Sequence, residues 1–262
     1  MPPLRPSPFD TVASIYNDVR PTYPPALFDD LWEDLALPAV ADVVEVGPGT
    51  GQATAALLQR GACVTAVELG PNLARFLAAR FSGAPALTVV NAAFEDAMLP
   101  PAAFDLVAAA TSFHWIDPAV RFTRARSLLR PGGAIAIIET NQVESGADRG
   151  YFQRSQSIYR RYFPDEVVSP PPKRGTVPPL LGELDRGGLF APATLRHYPW
   201  DQTYETPAYA DLMRSYSNMQ DMDAAPREAL IAELCTLIDA EFGGRVTRPL
   251  EIALIVARVR AT

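Results

Sequence analysis

The octapeptide Glu45-Val46-Gly47-Pro48-Gly49-Thr50-Gly51-Gln52 closes the run Asp42-Val43-Val44-Glu45-Val46 and opens the run Ala53-Thr54-Ala55-Ala56-Leu57-Leu58. The first run is short, apolar and β-branched, and the second is rich in good helix formers. A strand therefore feeds a glycine turn, which feeds a helix. Glycines lack Cβ, so they take positive φ and let a ligand approach the backbone closely. The free N–H groups at the start of the helix favour an anionic or electron-rich group there.

The pattern continues outward from this turn. Apolar runs at 42–46, 63–68, 87–91, 104–110 and 134–139 are of the kind buried on both faces of a parallel sheet. Helices fit the gaps at 52–60, 71–81 and 118–129. The second has Pro71 in its first turn, and the third has Asp117 as N-cap and a stop at Pro131-Gly132-Gly133. Val120, Ala125, Leu128 and Leu129 form the apolar stripe of that third helix, with Arg121, Arg124 and Arg126 mainly off it. Strands alternating with helices predict an α/β fold with helices on both faces of a mostly parallel sheet. After Thr140 the alternation breaks, and 141–195 reads as an inserted helical cap containing the helix 151–163 and a proline-rich loop. A strand near 194–204, helices near 207–219 and 225–242, and a last strand at 250–259 complete the chain. We expect one domain over 1–262, with a ligand-binding core at 40–140.

Glu68 ends the second strand 23 residues after Glu45. There a carboxylate can accept both hydroxyls of an adenosine ribose. A dinucleotide fingerprint would place glycine or alanine where Gln52 stands, and Gly51 comes one residue early. The turn instead resembles the first motif of class I S-adenosylmethionine methyltransferases, in which an acidic residue, here Glu45, precedes G-x-G-x-G. Three further segments are similar to the branch that includes trans-aconitate methyltransferase-like proteins. They are Tyr16-Asn17-Asp18-Val19-Arg20-Pro21-Thr22-Tyr23-Pro24, Phe94-Glu95, and Thr111-Ser112-Phe113-His114-Trp115-Ile116-Asp117. Leu129-Arg130-Pro131-Gly132-Gly133 matches as well.

The resemblance implies a Rossmann-like class I methyltransferase fold with a seven-stranded sheet, and S-adenosyl-L-methionine as cofactor, released as S-adenosyl-L-homocysteine. It places Gly47, Gly49 and Gly51 along the methionine portion, Glu68 on the ribose and Leu69 against the adenine. Phe94 and Glu95 follow, and Ala110 and Thr111 join them at the end of the fourth strand. Many relatives carry an aspartate where Ala93 stands, which leaves adenine recognition to backbone groups or to Glu95. Arg20 is a candidate partner for the cofactor carboxylate, with Tyr16 closing the same pocket; the alternative is that Arg20 caps a helix and Tyr16 packs.

His114 follows the fourth strand, where ligands collect in open α/β sheets. Its imidazole could take a proton from a hydroxyl or enol acceptor, or it could be a structural histidine beside Trp115. Tyr151, Tyr159, Tyr162 and Phe163 in the cap read mainly as packing. Arg160, Arg161, Lys173 and Arg174 read as a solvated charged face or as an anion site. With 2 histidines and 2 cysteines in no ligand spacing, no metal site is expected. No G-x-S-x-G elbow is present. An NAD-dependent oxidoreductase would want a Tyr-x-x-x-Lys pair, which the chain lacks. A protein that binds the adenosyl cofactor without methylating anything stays open.

The chain has 262 residues, of which 48% are hydrophobic and 20% charged, so a substantial core can form without disulfides. Its 26 prolines cluster in extended or turning segments. A net charge of −7 opposes a nucleic-acid partner. Cys63 and Cys235 sit among apolar neighbours and read as two buried thiols. The N-terminal segment lacks the apolar core of a secretory signal, and no apolar run could span a membrane. These features predict a cytoplasmic enzyme, monomeric or homodimeric, acting on a small-molecule methyl acceptor.

Overall fold

A computed structural model describes residues 22–165 and 169–260. Five strands run parallel: β1 (Asp42–Val46), β2 (Cys63–Glu68), β3 (Leu87–Asn91), β4 (Phe104–Ala110) and β5 (Leu129–Gln142). The helices between them are α1 (Pro25–Asp34), which precedes β1, then α2 (Gln52–Gln59), α3 (Pro71–Arg80) and α4 (Arg121–Leu128). β6 (Thr194–Pro199) and β9 (Leu250–Arg258) complete a seven-stranded sheet in the order β3-β2-β1-β4-β5-β9-β6, with β9 antiparallel to both its neighbours. The mostly parallel seven-stranded sheet expected from the sequence is present.

Side-chain alternation along the strands divides the core in two. Val43, Leu106, Ala108, Ala136 and Ile138 face one layer, with Leu27 and Leu31 of α1, Leu57 of α2 and Leu77 of α3. Val44, Val107, Ala109, Ile135 and Ile137 face the other, with Ala125 and Leu128 of α4 and Leu180 and Leu184 of α6 (Pro179–Arg186). Leu57 and Leu77 are fully buried, and burial of each stabilises the fold by roughly 1.5–3 kcal/mol. Both faces are covered, which is why the strands read as continuous apolar runs.

A third cluster stands apart from the sheet. Tyr151 and Ile158 of α5 (Tyr151–Tyr162) pack against Tyr209, Leu212 and Met213 of α7 (Thr206–Arg214) and Leu230, Leu234 and Ile238 of α9 (Ala224–Phe242). Tyr204 of β7 (Gln202–Glu205) and Val246 of β8 (Arg245–Arg248) join it, and these two strands pair as a separate antiparallel ribbon. The helix expected in the 141–195 cap thus shares one core with residues 204–246. The aromatic residues of α5 are packing residues, as expected.

Several expectations are corrected. The strand near 194–204 is two strands in two sheets: β6 pairs with β9, with the Trp200 amide still donating to the Leu250 carbonyl at 2.9 Å, and β7 pairs with β8. The helix near 207–219 ends at Arg214, and a short turn, α8 (Ser217–Gln220), follows. The helix expected from 118 starts at Arg121, and Asp117 Oδ1 accepts from the Ala119 amide ahead of it at 2.9 Å. Arg121 is buried, paired with Glu183 of α6 and stacked near Phe113 and Phe122. Cys63 is exposed, because it opens β2 at the rim of the sheet.

Candidate functional site

The chain order reverses direction between β1 and β4, which are neighbours with β2 on one side and β5 on the other. Ligands in open α/β sheets bind outside the carboxyl ends of the strands at this switch point. A cavity of about 630 Å³ lies there, within the usual range for small-molecule sites. Its walls include Glu45, Gly47, Gly49, Glu68, Leu69, Phe94, Glu95, Ala110, Thr111 and His114. One further candidate, Gly51, does not line it. Tyr16 and Arg20 lie outside the described residues.

The glycine loop leaves β1 with positive φ at all three glycines: +63° at Gly47, +58° at Gly49 and +91° at Gly51. They do different work. A Cβ at Gly47 would sit 2.7 Å from Ser112 Cβ, so this glycine lets the loop close onto the end of β4. A Cβ at Gly49 would meet nothing within 4 Å, so that position opens on the cavity. A Cβ at Gly51 would strike Leu77 and Phe81 at 2.6 Å, which makes it a packing requirement between α2 and α3.

Two carboxylates converge on this loop. Glu68 Oε2 accepts from the Gly49 amide at 3.0 Å, and its Oε1 accepts from the Gly70 amide at 2.8 Å. Asn91, at the end of β3, donates to the backbone carbonyls of Glu68 and Leu69 at 2.8 and 3.1 Å and so fixes the turn that carries them. Glu45 is 2% exposed; its Oε2 accepts from Thr54 Oγ1 at 2.6 Å, while its Oε1 is buried with no hydrogen-bond partner among the described residues. Burial, and secondly the nearby Glu68, push the Glu45 carboxyl up to about 7, while the Thr54 hydrogen bond opposes the rise.

Beyond β4, Thr111 holds φ +57°, an uncommon and strained value for a β-branched residue. Its hydroxyl lies 3.3 Å from Tyr23 Oη and 3.4 Å from Thr140 Oγ1. Phe94 is buried, and Glu95 Oε1 accepts from the Asp117 amide at 3.2 Å. His114 belongs to a single 3-10 turn, Phe113–Trp115, and its ring centroid lies 5.0 Å from that of Trp115. Partial burial, followed by the positive charge of Arg121, lowers its pKa below 6.5 and favours the neutral imidazole at neutral pH.

The opposite wall is formed by Thr140, Gln142, Tyr204, Tyr216, Arg248 and Leu250, none of which stands out in the sequence. Antiparallel pairing sets Gln142 opposite Leu250 and thereby brings Arg248 to the cavity. Of the residues considered for an anion site, Arg161 pairs with Glu233 and Arg174 with Asp201, and neither they nor Arg160 and Lys173 line this cavity. His197 faces Glu251 with Nδ1 3.0 Å from Oε2. Among the described residues, no group of three or more His, Cys, Asp or Glu is placed to hold a metal ion, and no helix is long and apolar enough to cross a membrane.

These features can be compared with known proteins. Residues 44–137, from β1 into β5, match the family model described as a methyltransferase domain. An uncharacterized methyltransferase of Mycobacterium tuberculosis is 34% identical over 131 residues, 50% of this chain and 51% of that protein. The chain spans about half the length of the curated relatives it matches first. A protein of Anaeromyxobacter dehalogenans, whose structure was described as that of a type II methyltransferase, superposes with a TM-score of 0.57 at 26% identity, covering 91% of this chain and 96% of that one. The phosphoethanolamine N-methyltransferase 2 of Haemonchus contortus, solved with phosphomonomethylethanolamine and S-adenosylhomocysteine, superposes with a TM-score of 0.56 at 15% identity over 96% of this chain and 58% of that one, a likeness of fold. The segment that runs from within β1 through the glycine loop and β2, β3 and β4 into β5 is thus a match to the methyltransferase domain.

Proposed function

We propose that this protein is an S-adenosylmethionine-dependent methyltransferase acting on a small-molecule acceptor. The observation that carries the reading is the cradle at the end of β1: the open Gly49 held by Glu68, with the unpartnered Glu45 Oε1 beneath it. A cofactor with an ammonium, a ribose and an adenine fits these residues. A buried carboxylate oxygen suits an ammonium donor, and the Glu68 carboxylate at the cavity wall is an acceptor of the kind ribose hydroxyls donate to. Leu69, 39% exposed on the cavity wall, and Phe94 would flank the adenine. Gly47 and Ala110 would line the methionine portion, and Glu95 the adenine edge. Tyr16 and Arg20 are assigned to the cofactor carboxylate by their family motif alone, which is also the basis for reading the branch as trans-aconitate methyltransferase-like.

Glu45, Glu68 and the glycine loop would hold the cofactor, which would supply an electrophilic methyl to an oxygen, nitrogen or carbon of the acceptor, with the carbon–sulfur electron pair left on sulfur and a proton lost by the acceptor where it carries one. The chain's contribution is positioning, which is worth roughly 7–11 kcal/mol when two bound reactants are held in line. Neutral His114 is the candidate base for an acceptor proton. We read 1–262 as one domain whose cap combines residues of 141–195 with 204–246.

Titration calorimetry of S-adenosylmethionine, S-adenosylhomocysteine and NAD against the wild type and Glu68→Ala tests this. Micromolar adenosyl binding, weakened by the substitution and absent for NAD, is expected. NAD binding without adenosyl binding would replace the methyltransferase by an oxidoreductase.

A further inference from the structure

The charges lining the cavity are segregated. Its carboxylates are Glu45 near the end of β1, Glu68 at the end of β2 and Glu95 on the loop after β3, whereas Arg248 of β8 is the only lysine or arginine among the described lining residues. Arg248 donates to Tyr216 Oη and to Gln142 Oε1, both neutral, and its guanidinium lies 5.4 Å from the Tyr216 ring centroid. Several partly or fully buried arginines find carboxylates: Arg121 meets Glu183, Arg130 meets Asp42 and Asp105, Arg174 meets Asp201 and Arg214 meets Glu228, while Arg124 donates to the backbone carbonyls of Phe94 and Ala97. Arg248 meets none among the described residues.

Its surroundings supply no hidden anion either. Tyr159 and Tyr209 have their hydroxyl pKa values raised, first by burial, so they remain protonated near neutral pH. A guanidinium is charged at every working pH, and a charge drawn out of water is costly unless it is paired. The natural partner is an anion entering through the cavity. A guanidinium fork matches the two oxygens of a carboxylate, and the single positive charge balances a single negative one. A phosphate ester carries up to two charges, and no second cation among the described residues lines the cavity to meet it.

We propose that Arg248, steadied by Gln142 and Tyr216, holds a carboxylate of the methyl acceptor, so that this protein selects carboxylate-bearing small molecules. The proposal rests on the methyltransferase reading above. The carboxylate so held anchors the acceptor on the wall facing the glycine loop.

The test uses the intact chain saturated with S-adenosylhomocysteine. Calorimetry is run with a matched panel of aliphatic and aromatic carboxylic acids, their primary amides and the corresponding phosphate esters, on wild type, Arg248→Gln, Arg248→Lys and Tyr216→Phe. At least one acid is expected to bind, with its amide and phosphate counterparts about tenfold weaker or more. Arg248→Gln should weaken that acid at least about tenfold, a loss of about 1.4 kcal/mol, and leave S-adenosylhomocysteine affinity unchanged within about twofold. If Arg248→Gln fails to fold, Arg248→Lys carries the same comparison, because it keeps the charge and loses the fork. Acids that bind no better than amides, a preference for phosphate esters, or no binding by any acid would overturn the proposal. So would an equal loss of S-adenosylhomocysteine affinity in Arg248→Gln, which would assign the guanidinium to the cofactor. Failure of the wild type to bind S-adenosylhomocysteine, seen before any acid is added, would instead sink the underlying methyltransferase reading.

Discussion

Glu68 and Gly49 are joined across 19 residues by a 3.0 Å hydrogen bond from the Gly49 amide to Glu68 Oε2. The acidic end of β2 and the middle of the glycine loop therefore act as one unit, and an adenosyl ligand would be met by both together. Glu68→Gln keeps the shape but exchanges a charged acceptor for a neutral amide, and hydrogen bonds to charged groups are worth about 1.5–3 kcal/mol. S-adenosylhomocysteine affinity should fall roughly tenfold to hundredfold in calorimetry. Unchanged affinity would remove Glu68 from the cofactor site.

The three glycines should separate by assay. Gly51→Ala forces a Cβ into Leu77 and Phe81, and Gly47→Ala forces one into Ser112, so both should lose stability, by roughly 1–3 kcal/mol in denaturant melts. Gly49→Ala has open space and bears mainly the positive-φ cost of about 1–2 kcal/mol, yet its methyl would project into the cavity. For Gly49→Ala the loss of adenosyl affinity should therefore exceed the loss of stability. The opposite ranking would show that Gly49 does not face the ligand.

The raised Glu45 pKa makes stability depend on pH with a definite sign. Between its ordinary value of 4.5 and about 7 the folded state binds a proton that the unfolded state has released, so stability falls as pH rises through this window. The full span is on the order of 3 kcal/mol. Glu45→Gln should flatten that fall in ligand-free melts recorded between pH 5 and 8, roughly. Ligand binding should take up the opposite role: if Glu45 meets a cationic group, adenosyl affinity should rise with pH across the same range in wild type and not in the variant.

His114 has its pKa lowered below 6.5 by partial burial and by Arg121. As a general base it would give a kcat profile with an acid limb below pH 6.5, and His114→Gln would lose about 10²–10⁴ in kcat with little change in cofactor affinity. A structural histidine would instead show its loss in the melting temperature, with kcat and its pH profile preserved.

Much of the sheet was legible before any tertiary information. The strands at 42–46, 63–68, 87–91 and 104–110 coincide with β1 to β4, because strands buried on both faces leave uninterrupted apolar runs between turn residues. The β7–β8 ribbon was not legible. Thr194 to Tyr204 reads as one strand, and only the partners available in space assign Thr194–Pro199 to β9 and Gln202–Glu205 to β8. Arg121 reads as a surface residue by helical period, yet Glu183 and two phenylalanine rings draw it inside. Gly51 reads as part of the ligand loop, but its neighbours in space are the side chains of α3 and the residue after it.

The sequence by itself determined the parallel α/β core and the half of the cavity built around the glycine loop. Those residues sit at the ends of successive strands within one continuous segment, from Glu45 to His114, where local turn chemistry leaves a written signature. The other half of the cavity lining was decided by the tertiary structure alone. Gln142, Tyr204 and Arg248 come from three separate strands and Tyr216 from the connection between α7 and α8, and β9, antiparallel beside β5, sets Leu250 against Gln142. Pairing at that separation along the chain depends on the burial of whole strands, so no local pattern of residues records it.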